Sequence, residues 1–505
     1  MSFLSIEFLV FLAVLFLCYF LVPGKWQWKV LLCANIFFYF GAGIKYAGFI
    51  LVTAISAWGF ALLTEHTNEH FRKLRTQCTT KEEKQKNKAD CTRKKKLIMV
   101  IVLGINFGIW TVLKFTDYIM PLGLSFYTFI AMGYCIDVYR GKYVAERDFC
   151  RLFLFISFFP HIVQGPFSRY DKLRDSLAES HSFSFERMGE GIVRILWGFF
   201  KKLVIAERLS IVTNAIYAHE DIYGGIYILV LMVCITLQLY ADFSGYMDIA
   251  CGICRVLGIP LQENFLQPFF SRSIEEVWRR WHITLGAWFR DYVFYSVSMS
   301  KFVQKIARKC KEILPQATAR LIPSYIALAA VWTMTGLWHG KAWNFLIWGW
   351  MNMFFIIAGM QLTPFYKKVR KKFHIAEENR LWGIFCMIRT FLIFGYMEMF
   401  SDSSSTMASL RLTKSLFTVR NWNLIMTPEK LFPELTGQDL AIVIIGVSLL
   451  LIVDILKEKK KDLYQLLVSI PIVPRYIGYA MLFYAVILLG NTGTNLAGGF
   501  MYANF

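Results

Sequence analysis

Charged side chains are scarce in this chain. Only 18% of its 505 residues are Asp, Glu, Lys or Arg, whereas 56% are hydrophobic, and the mean hydropathy is +0.46. A soluble globular protein of this length needs a more polar surface, so the composition excludes that class. Apolar runs of about 17–25 residues, which are long enough to cross a bilayer as helices, recur along the sequence. The sequence therefore predicts an all-α, polytopic membrane protein.

The apolar runs predict about 11–13 transmembrane helices. The first run lacks a basic n-region and a small-residue cleavage site, which favours a retained helix over a signal peptide. Soluble linkers and internal repeats are also missing, so we expect a single membrane domain over residues 1–505. The candidate spans are 4–22, 29–44, 46–64, 97–116, 119–138, 152–166, 190–206, 222–242, 322–338, 343–361, 381–400, 438–456 and 475–495.

Acidic residues are fewer than basic ones, 35 against 55, and the net charge is +20. A nucleic-acid-binding protein would cluster its basic residues on a soluble face. Here they lie in short loops between apolar runs, so we expect no nucleic-acid partner. The positive-inside rule predicts that these segments are cytoplasmic and face anionic lipid, which places both chain termini outside the cell membrane. The segments are Arg72–Lys96, Lys301–Lys311, Lys367–Lys372 and Lys457–Lys461.

Several signatures of soluble enzymes are absent from the sequence. There is no G-x-S-x-G elbow, no H-E-x-x-H, no Walker A loop and no G-x-G-x-x-G. The sequence therefore lacks the motifs that usually mark a serine hydrolase, a metalloprotease, an ATPase or a dinucleotide-binding protein. The single CxxC, Cys251 and Cys254, has no second pair, so we interpret it as packing and expect no metal. Transport is an alternative function, because intramembrane charges and broken helices also mark ion pathways.

Two segments interrupt the regular order of spans and loops. In Phe153–Asp171, two prolines and a glycine break an apolar run, which predicts a broken or re-entrant helix. In the second, Gln238–Val297, acidic and basic residues alternate with aromatic ones. Its stretch "EVWRRWHITLGAWFRDYVF" fits either an interfacial amphipathic helix or a helix inside the protein beside a polar cavity. The many acid-base pairings favour the second interpretation.

Histidines provide the candidate catalytic groups. Five of the eight lie in polar segments or a short loop and are predicted to be solvated: His66, His70, His181, His219 and His374. His161, His282 and His339 remain, and for any one of them a hydrogen-bonded structural histidine is the usual outcome.

His339 differs from the other two because its neighbours could admit a substrate. Trp338, Gly340 and Trp343 would allow close approach while shielding the imidazole from water. Imidazole also suits general-base work near neutral pH. His282 follows two arginines, which disfavour its protonated form and suggest a hydrogen-bonding or donor-positioning group; a structural role stays open.

Four segments resemble the hallmark segments of the membrane-bound O-acyltransferase family. They are "PLGLSFYTFIAMGYCIDVYRG" (Pro121–Gly141), "FFPHIVQGPFSRYDKL" (Phe158–Leu173), the stretch from Gln238 to Phe294, and "GLWHGKAWNFLIWGWMN" (Gly336–Asn352). The closest resemblance is to the membrane subunits of alginate and peptidoglycan O-acetyltransferases. The teichoic acid D-alanyl transferase subunit is a near cousin. The resemblance marks a family core over about 121–361, with additional C-terminal transmembrane helices over 381–495.

This resemblance implies transmembrane, re-entrant and amphipathic helices around a central funnel and tunnel. It implies that His339 is the catalytic histidine and His282 the second histidine of the site. An acyl group, preferably acetyl, would pass from a cytoplasmic thioester to an extracytoplasmic polysaccharide or a partner protein. Acetyl-CoA would be the donor substrate, without a permanently bound cofactor, and an extracytoplasmic acyltransferase or esterase-like protein would be the partner.

The acyl group has two candidates. "WRRWH" and "FSGYMD" resemble the acetyl branch, whereas "YSVSMSKFVQK" (Tyr295–Lys305) resembles the D-alanyl branch. D-alanyl transfer would use an acyl carrier protein as donor and teichoic acid as acceptor. The candidate from a different class is a transporter or flippase without acyl chemistry. In each case the chain is expected in a bacterial-type cell membrane.

Overall fold

The apolar sequence folds into helices. The structure is a computed structural model that describes residues 3–41, 43–116 and 119–491. These residues contain no strand, and one isolated bridge joins Phe265 and Trp281. The predicted all-α class is therefore confirmed. The predicted position of the C-terminus falls on residues beyond 491, outside the described ones.

The helices follow one another with short connections. They are α1 (Ile6–Leu21), α2 (Gly24–Phe40), α3 (Ile44–Gln77), α4 (Lys81–Phe115), α5 (Leu124–Tyr139), α6 (Phe149–Ile156), α7 (Phe159–Ile162), α8 (Tyr170–Ala178), α9 (Phe185–Phe199), α10 (Glu207–Ala218), α11 (Ile226–Leu257), α12 (Ile274–Arg280), α13 (Ile283–Phe289), α14 (Tyr295–Ser298), α15 (Lys301–Ile313), α16 (Gln316–His339), α17 (Trp343–Lys372), α18 (Arg380–Asp402), α19 (Thr406–Thr418), α20 (Pro428–Leu431), α21 (Gly437–Glu458), α22 (Leu463–Ser469) and α23 (Ile472–Leu489). Wider π turns cover Phe200–Ala206 and Arg290–Phe294, and 3₁₀ turns cover Pro268–Phe270 and Trp422–Met426.

Eight helices within the described ranges are long and apolar enough to cross a membrane, which makes the chain a multi-pass membrane protein. Two further apolar helices, α1 and α5, are shorter. The eight are Ile44–Gln77, Lys81–Phe115, Ile226–Leu257, Thr318–His339, Trp343–Lys372, Arg380–Asp402, Gly437–Glu458 and Ile472–Leu489.

The described residues form two compact units. The first contains residues 3–191 and 250–262, and the second contains 192–249 and 263–491. Two of the three boundaries fall inside helices, α9 and α11. The single membrane domain expected from the sequence stays a prediction.

A long helical pair, α3 and α4, dominates the first unit. Each helix measures about 50 Å at 1.5 Å per residue, more than the hydrocarbon thickness of about 30 Å. Thr80 caps α4 by accepting from the Glu83 amide, and the Glu83 carboxylate accepts from the Thr80 amide. The basic segment Arg72–Lys96 was predicted as a loop, and this was wrong, because the segment is helical on both sides of a turn at 78–80.

The predicted interruption within Phe153–Asp171 is confirmed. Helix α6 ends at Ile156, the four-residue α7 contains Pro160 near its start, and α8 begins only at Tyr170. Proline lacks an amide proton, so a continuous helix here would lose hydrogen bonds. The candidate span 152–166 is therefore not one helix.

In the second unit, small residues bring two spans close together. A Cβ atom on Gly336 of α16 would lie 2.7 Å from the Phe345 carbonyl oxygen. A Cβ atom on Gly349 of α17 would lie 2.5 Å from the Trp332 carbonyl oxygen. Lipid tails are as apolar as the surface of a membrane helix, so burying apolar surface between two helices gains little free energy. Membrane helices therefore associate through close packing at small residues. This pair carries the candidate site.

Candidate active site

His339 is the last residue of α16, where the helix ends against the start of α17. Its side chain is buried among aromatic rings. The Trp348 ring centroid lies 4.6 Å from the imidazole centroid, at an interplanar angle of 64°. Trp338 and Phe345 provide two more rings, at 5.0 Å and 6.3 Å. These aromatic neighbours shield the imidazole from bulk water, as the sequence led us to expect of Trp338.

Trp348 makes two hydrogen bonds, one through its indole ring and one through its backbone carbonyl. Its indole Nε1 donates to Glu398 Oε1 at 3.0 Å, and its carbonyl oxygen accepts from Asn352 Nδ2 at 3.0 Å. Asn352 Oδ1 in turn accepts from Trp278 Nε1 at 2.8 Å. The indole beside His339 is thereby tied to α18, and the backbone of the same residue is linked through Asn352 to α12.

His282 lies at a sharp break between α12 and α13. Helix α12 ends before Trp281, and His282 has left-handed dihedral angles, φ 47° and ψ 48°. This conformation is uncommon for a residue with a Cβ atom, so surrounding contacts must hold it. The arginine-rich stretch is therefore two short helices joined at His282. Trp281, Trp288 and Phe289 are buried, which supports the expectation of a segment inside the protein.

Asn264 supplies the contacts that hold the break. Its side-chain Oδ1 accepts from the Thr284 amide at 3.0 Å and from Thr284 Oγ1 at 2.9 Å. The same oxygen lies 3.3 Å from His282 Nδ1. Because an amide oxygen only accepts, this contact fits the tautomer with the proton on Nδ1, which leaves Nε2 as an acceptor.

The structure brings the two predicted site histidines to one place. The His282 ring centroid lies 6.2 Å from that of Trp338, the residue that precedes His339, and 4.8 Å from that of Phe243. His282 lies outside the eight spans, and burial lowers its pKa well below the usual histidine range; the nearby His339 lowers it further. A neutral imidazole at pH 7 is the form that can accept a proton.

The arginines near His282 take different roles. Arg280 bonds to Glu276 at 2.9 Å and to Glu458 at 2.7 Å, so it links α12 to α21. Arg279 and Arg290 are more exposed and pair with their local carboxylates Glu275 and Asp291. Arg280 is therefore the arginine placed to hold the short helices.

Buried ion pairs lie elsewhere in this unit. Lys202 lies 2.5 Å from Asp242, and Lys201 lies 2.7 Å from Asp248. Arg194 also contacts Asp248, at 2.9 Å. The two lysines lie in the π turn that follows α9. Asp242 and Asp248 therefore take part in buried ion pairs.

His161 and His181 lie in the first unit. His161 is fully buried, and its Nε2 lies 3.4 Å from the Ile156 carbonyl oxygen, as in a structural histidine. His181 was predicted to be solvated, and this was wrong. It is half-buried, its Nδ1 lies 2.9 Å from Tyr19 Oη, and its backbone exchanges hydrogen bonds with the Gln27 side chain.

Sequence reasoning missed two residues that support the site. Glu398 is a lone carboxylate inside the apolar run of α18, and an ionisable residue within a span is a signal that could have found it. Asn264 carries no such signal, because its role depends on contacts with residues 20 positions away.

Comparisons with known proteins bear on the family of this chain. A sequence model of the MBOAT, membrane-bound O-acyltransferase family matches residues 146–308. A teichoic acid D-alanyltransferase from Bacillus subtilis is 30% identical over 284 residues, which cover 54% of this chain and 67% of that protein. The chain belongs to the membrane-bound O-acyltransferase family.

Two further relatives of this O-acyltransferase family member are named as probable alginate O-acetylases. The protein from Azotobacter vinelandii is 36% identical over 234 residues, 46% of this chain and 43% of the relative. The protein from Pseudomonas syringae pv. tomato is 30% identical over 354 residues, 69% of this chain and 61% of the relative. The match therefore spans only about half the length of these relatives.

Proposed function

We propose that this protein is an O-acyltransferase that transfers an acetyl group from acetyl-CoA on the cytoplasmic side to a hydroxyl of an extracytoplasmic polysaccharide or its partner protein. The observation that carries the proposal is the pairing of His339 with His282 around Trp338, at the end of a membrane helix. The O-acetylase names of two relatives favour acetyl. We also propose that a central funnel and tunnel lead to the site and that both chain termini lie outside the cell membrane.

His339 acts as the general base in this proposal. Its neutral nitrogen takes the proton of the acceptor hydroxyl as the hydroxyl oxygen forms a bond to the thioester carbonyl carbon. The tetrahedral intermediate then collapses, the carbon–sulfur bond breaks, and the imidazolium returns the proton to the leaving thiolate. The products are an ester and a free thiol. The aromatic rings around His339 limit water, which would otherwise hydrolyse the thioester.

His282 serves as a second hydrogen-bonding group. With its Nδ1 proton directed at Asn264, Nε2 can accept a hydrogen bond from the acceptor hydroxyl and orient it toward the thioester. The donor needs no permanently bound cofactor, because the thioester already carries the activated acyl group. A separate extracytoplasmic acyltransferase or esterase-like protein would complete delivery to the polymer.

D-alanyl transfer is the second candidate, favoured by the relative named teichoic acid D-alanyltransferase. In that case an acyl carrier protein would supply the thioester. Membranes containing the protein, supplied with labelled acetyl-CoA or with labelled D-alanyl carrier protein, distinguish the two donors. Label from acetyl-CoA in polysaccharide or in a partner protein supports the proposal. Label only from the carrier protein supports D-alanyl transfer, and label from neither donor contradicts both.

A further inference from the structure

Glu398 is a buried carboxylate that the proposed reaction does not use directly. It lies in α18 with 3% of its surface exposed. Removing a carboxylate from water inside a membrane is costly, so a residue of this kind is retained for a purpose. Its position relative to His339 indicates that purpose.

A short chain of contacts joins Glu398 to the catalytic imidazole. Glu398 Oε1 accepts a hydrogen bond from Trp348 Nε1 at 3.0 Å, and the Trp348 ring lies 4.6 Å from that of His339. Ser401 Oγ donates to the Glu398 carbonyl oxygen at 2.8 Å and lies 3.3 Å from Oε2, so Trp348 is the closer partner of the carboxylate. An indole has one polar hydrogen, and the direction of its acceptor sets the orientation of the ring.

We infer that Glu398 is a positioning residue, which holds the Trp348 ring against His339 and thereby fixes the imidazole for proton transfer. This inference rests on the proposed acyl transfer. A catalytic group displaced by about 1 Å loses about 100-fold in rate, so a lost anchor should lower kcat rather than weaken donor binding.

Two substitutions separate the hydrogen bond from the charge. Glu398→Leu removes the acceptor and should lower kcat about 10- to 100-fold, with an unchanged KM for the donor. Glu398→Gln keeps an acceptor oxygen and should retain kcat within about threefold of wild type. Ser401→Ala, which removes the other partner of the carboxylate, is the control and should also retain kcat. A Gln variant as impaired as the Leu variant would overturn the inference.

Trp348 provides an independent arm of the test. Trp348→Phe removes the indole N–H, so adding Glu398→Leu to this variant should cause no further loss of kcat, because the two residues act through one contact. Multiplied losses in the double variant would contradict the inference. If Glu398→Leu folds poorly, Trp348→Phe alone tests the inference, because it removes the same contact and should lower kcat by a similar factor.

A measurement that does not require turnover can test this inference separately from the proposed function. Diethyl pyrocarbonate modifies neutral imidazoles, and mass spectrometry can follow the modification of His339. The rate should rise severalfold in Glu398→Leu and stay at the wild-type rate in Glu398→Gln. Equal rates in all three proteins would overturn the positioning role even if wild type transfers acetyl groups. Absent transfer with the predicted reactivities would contradict only the proposed reaction.

Discussion

At the scale of single residues, polar contacts decide the geometry of this site. His282 adopts left-handed dihedral angles, and one amide oxygen on Asn264 bonds twice to Thr284 and faces the imidazole. A strained conformation of this kind persists only where neighbours hold it. Asn264 is therefore the residue on which the placement of His282 depends.

Replacing Asn264 by alanine should misplace His282. Asn264→Ala leaves the Thr284 amide and hydroxyl without this acceptor, which costs about 1–3 kcal/mol in the free energy of unfolding. We expect kcat for acyl transfer to fall at least about tenfold. Purified protein in detergent, assayed for turnover and thermal unfolding, tests this. Asn264→Asp keeps the acceptor oxygens and should retain more activity; full activity in the alanine variant would refute the role of Asn264.

At the scale of helices, the site depends on how closely α16 and α17 approach. The Trp332 carbonyl occupies the space where a side chain on Gly349 would lie, and the Trp332 ring packs against Trp278 at 4.9 Å and Trp348 at 5.9 Å. Separation of these helices would therefore also move the rings around His339.

Two glycines in α17 make a matched test of this close approach. A Cβ atom on Gly349 would collide with backbone at 2.5 Å, whereas a Cβ atom on Gly359 would meet nothing within 4 Å. Gly349→Ala should lower the free energy of unfolding by about 1–3 kcal/mol, as overpacking does. Gly359→Ala should leave it unchanged. Thermal unfolding in detergent measures both, and equal stability of the two variants would contradict this packing.

At the scale of the whole molecule, sequence patterns predicted the fold class better than they predicted where individual helices begin and end. Apolar run length predicted a helical membrane protein, and the setting of His339 marked it as a candidate. The helical continuation of Arg72–Lys96 was missed because charged residues carry little hydrophobic signal once a helix leaves the bilayer. Asn264 was missed because its partner Thr284 is distant in sequence, whereas Glu398 carried the signal of a carboxylate within an apolar run.

The topology inferred from the basic segments can be tested on intact cells. The positive-inside rule places Lys372 in the cytoplasm and Ser404 outside, and both residues are exposed. A membrane-impermeant maleimide should label Ser404→Cys in intact cells and Lys372→Cys only after permeabilisation, as detected on isolated peptides. If Lys372→Cys were labelled in intact cells and Ser404→Cys only after permeabilisation, the topology would be opposite to the proposed one. Acyl transfer would then run from outside to inside.

The proposed acyl transfer depends most on His339 as the base that removes the acceptor proton. General-base catalysis contributes about 10²–10⁴-fold, so His339→Gln should lose acyl transfer by at least about 100-fold at saturating donor. The decisive measurement is turnover in membranes that contain matched amounts of folded wild-type and variant protein. Loss of transfer with normal folding is the predicted result, and turnover within tenfold of wild type would contradict the central claim.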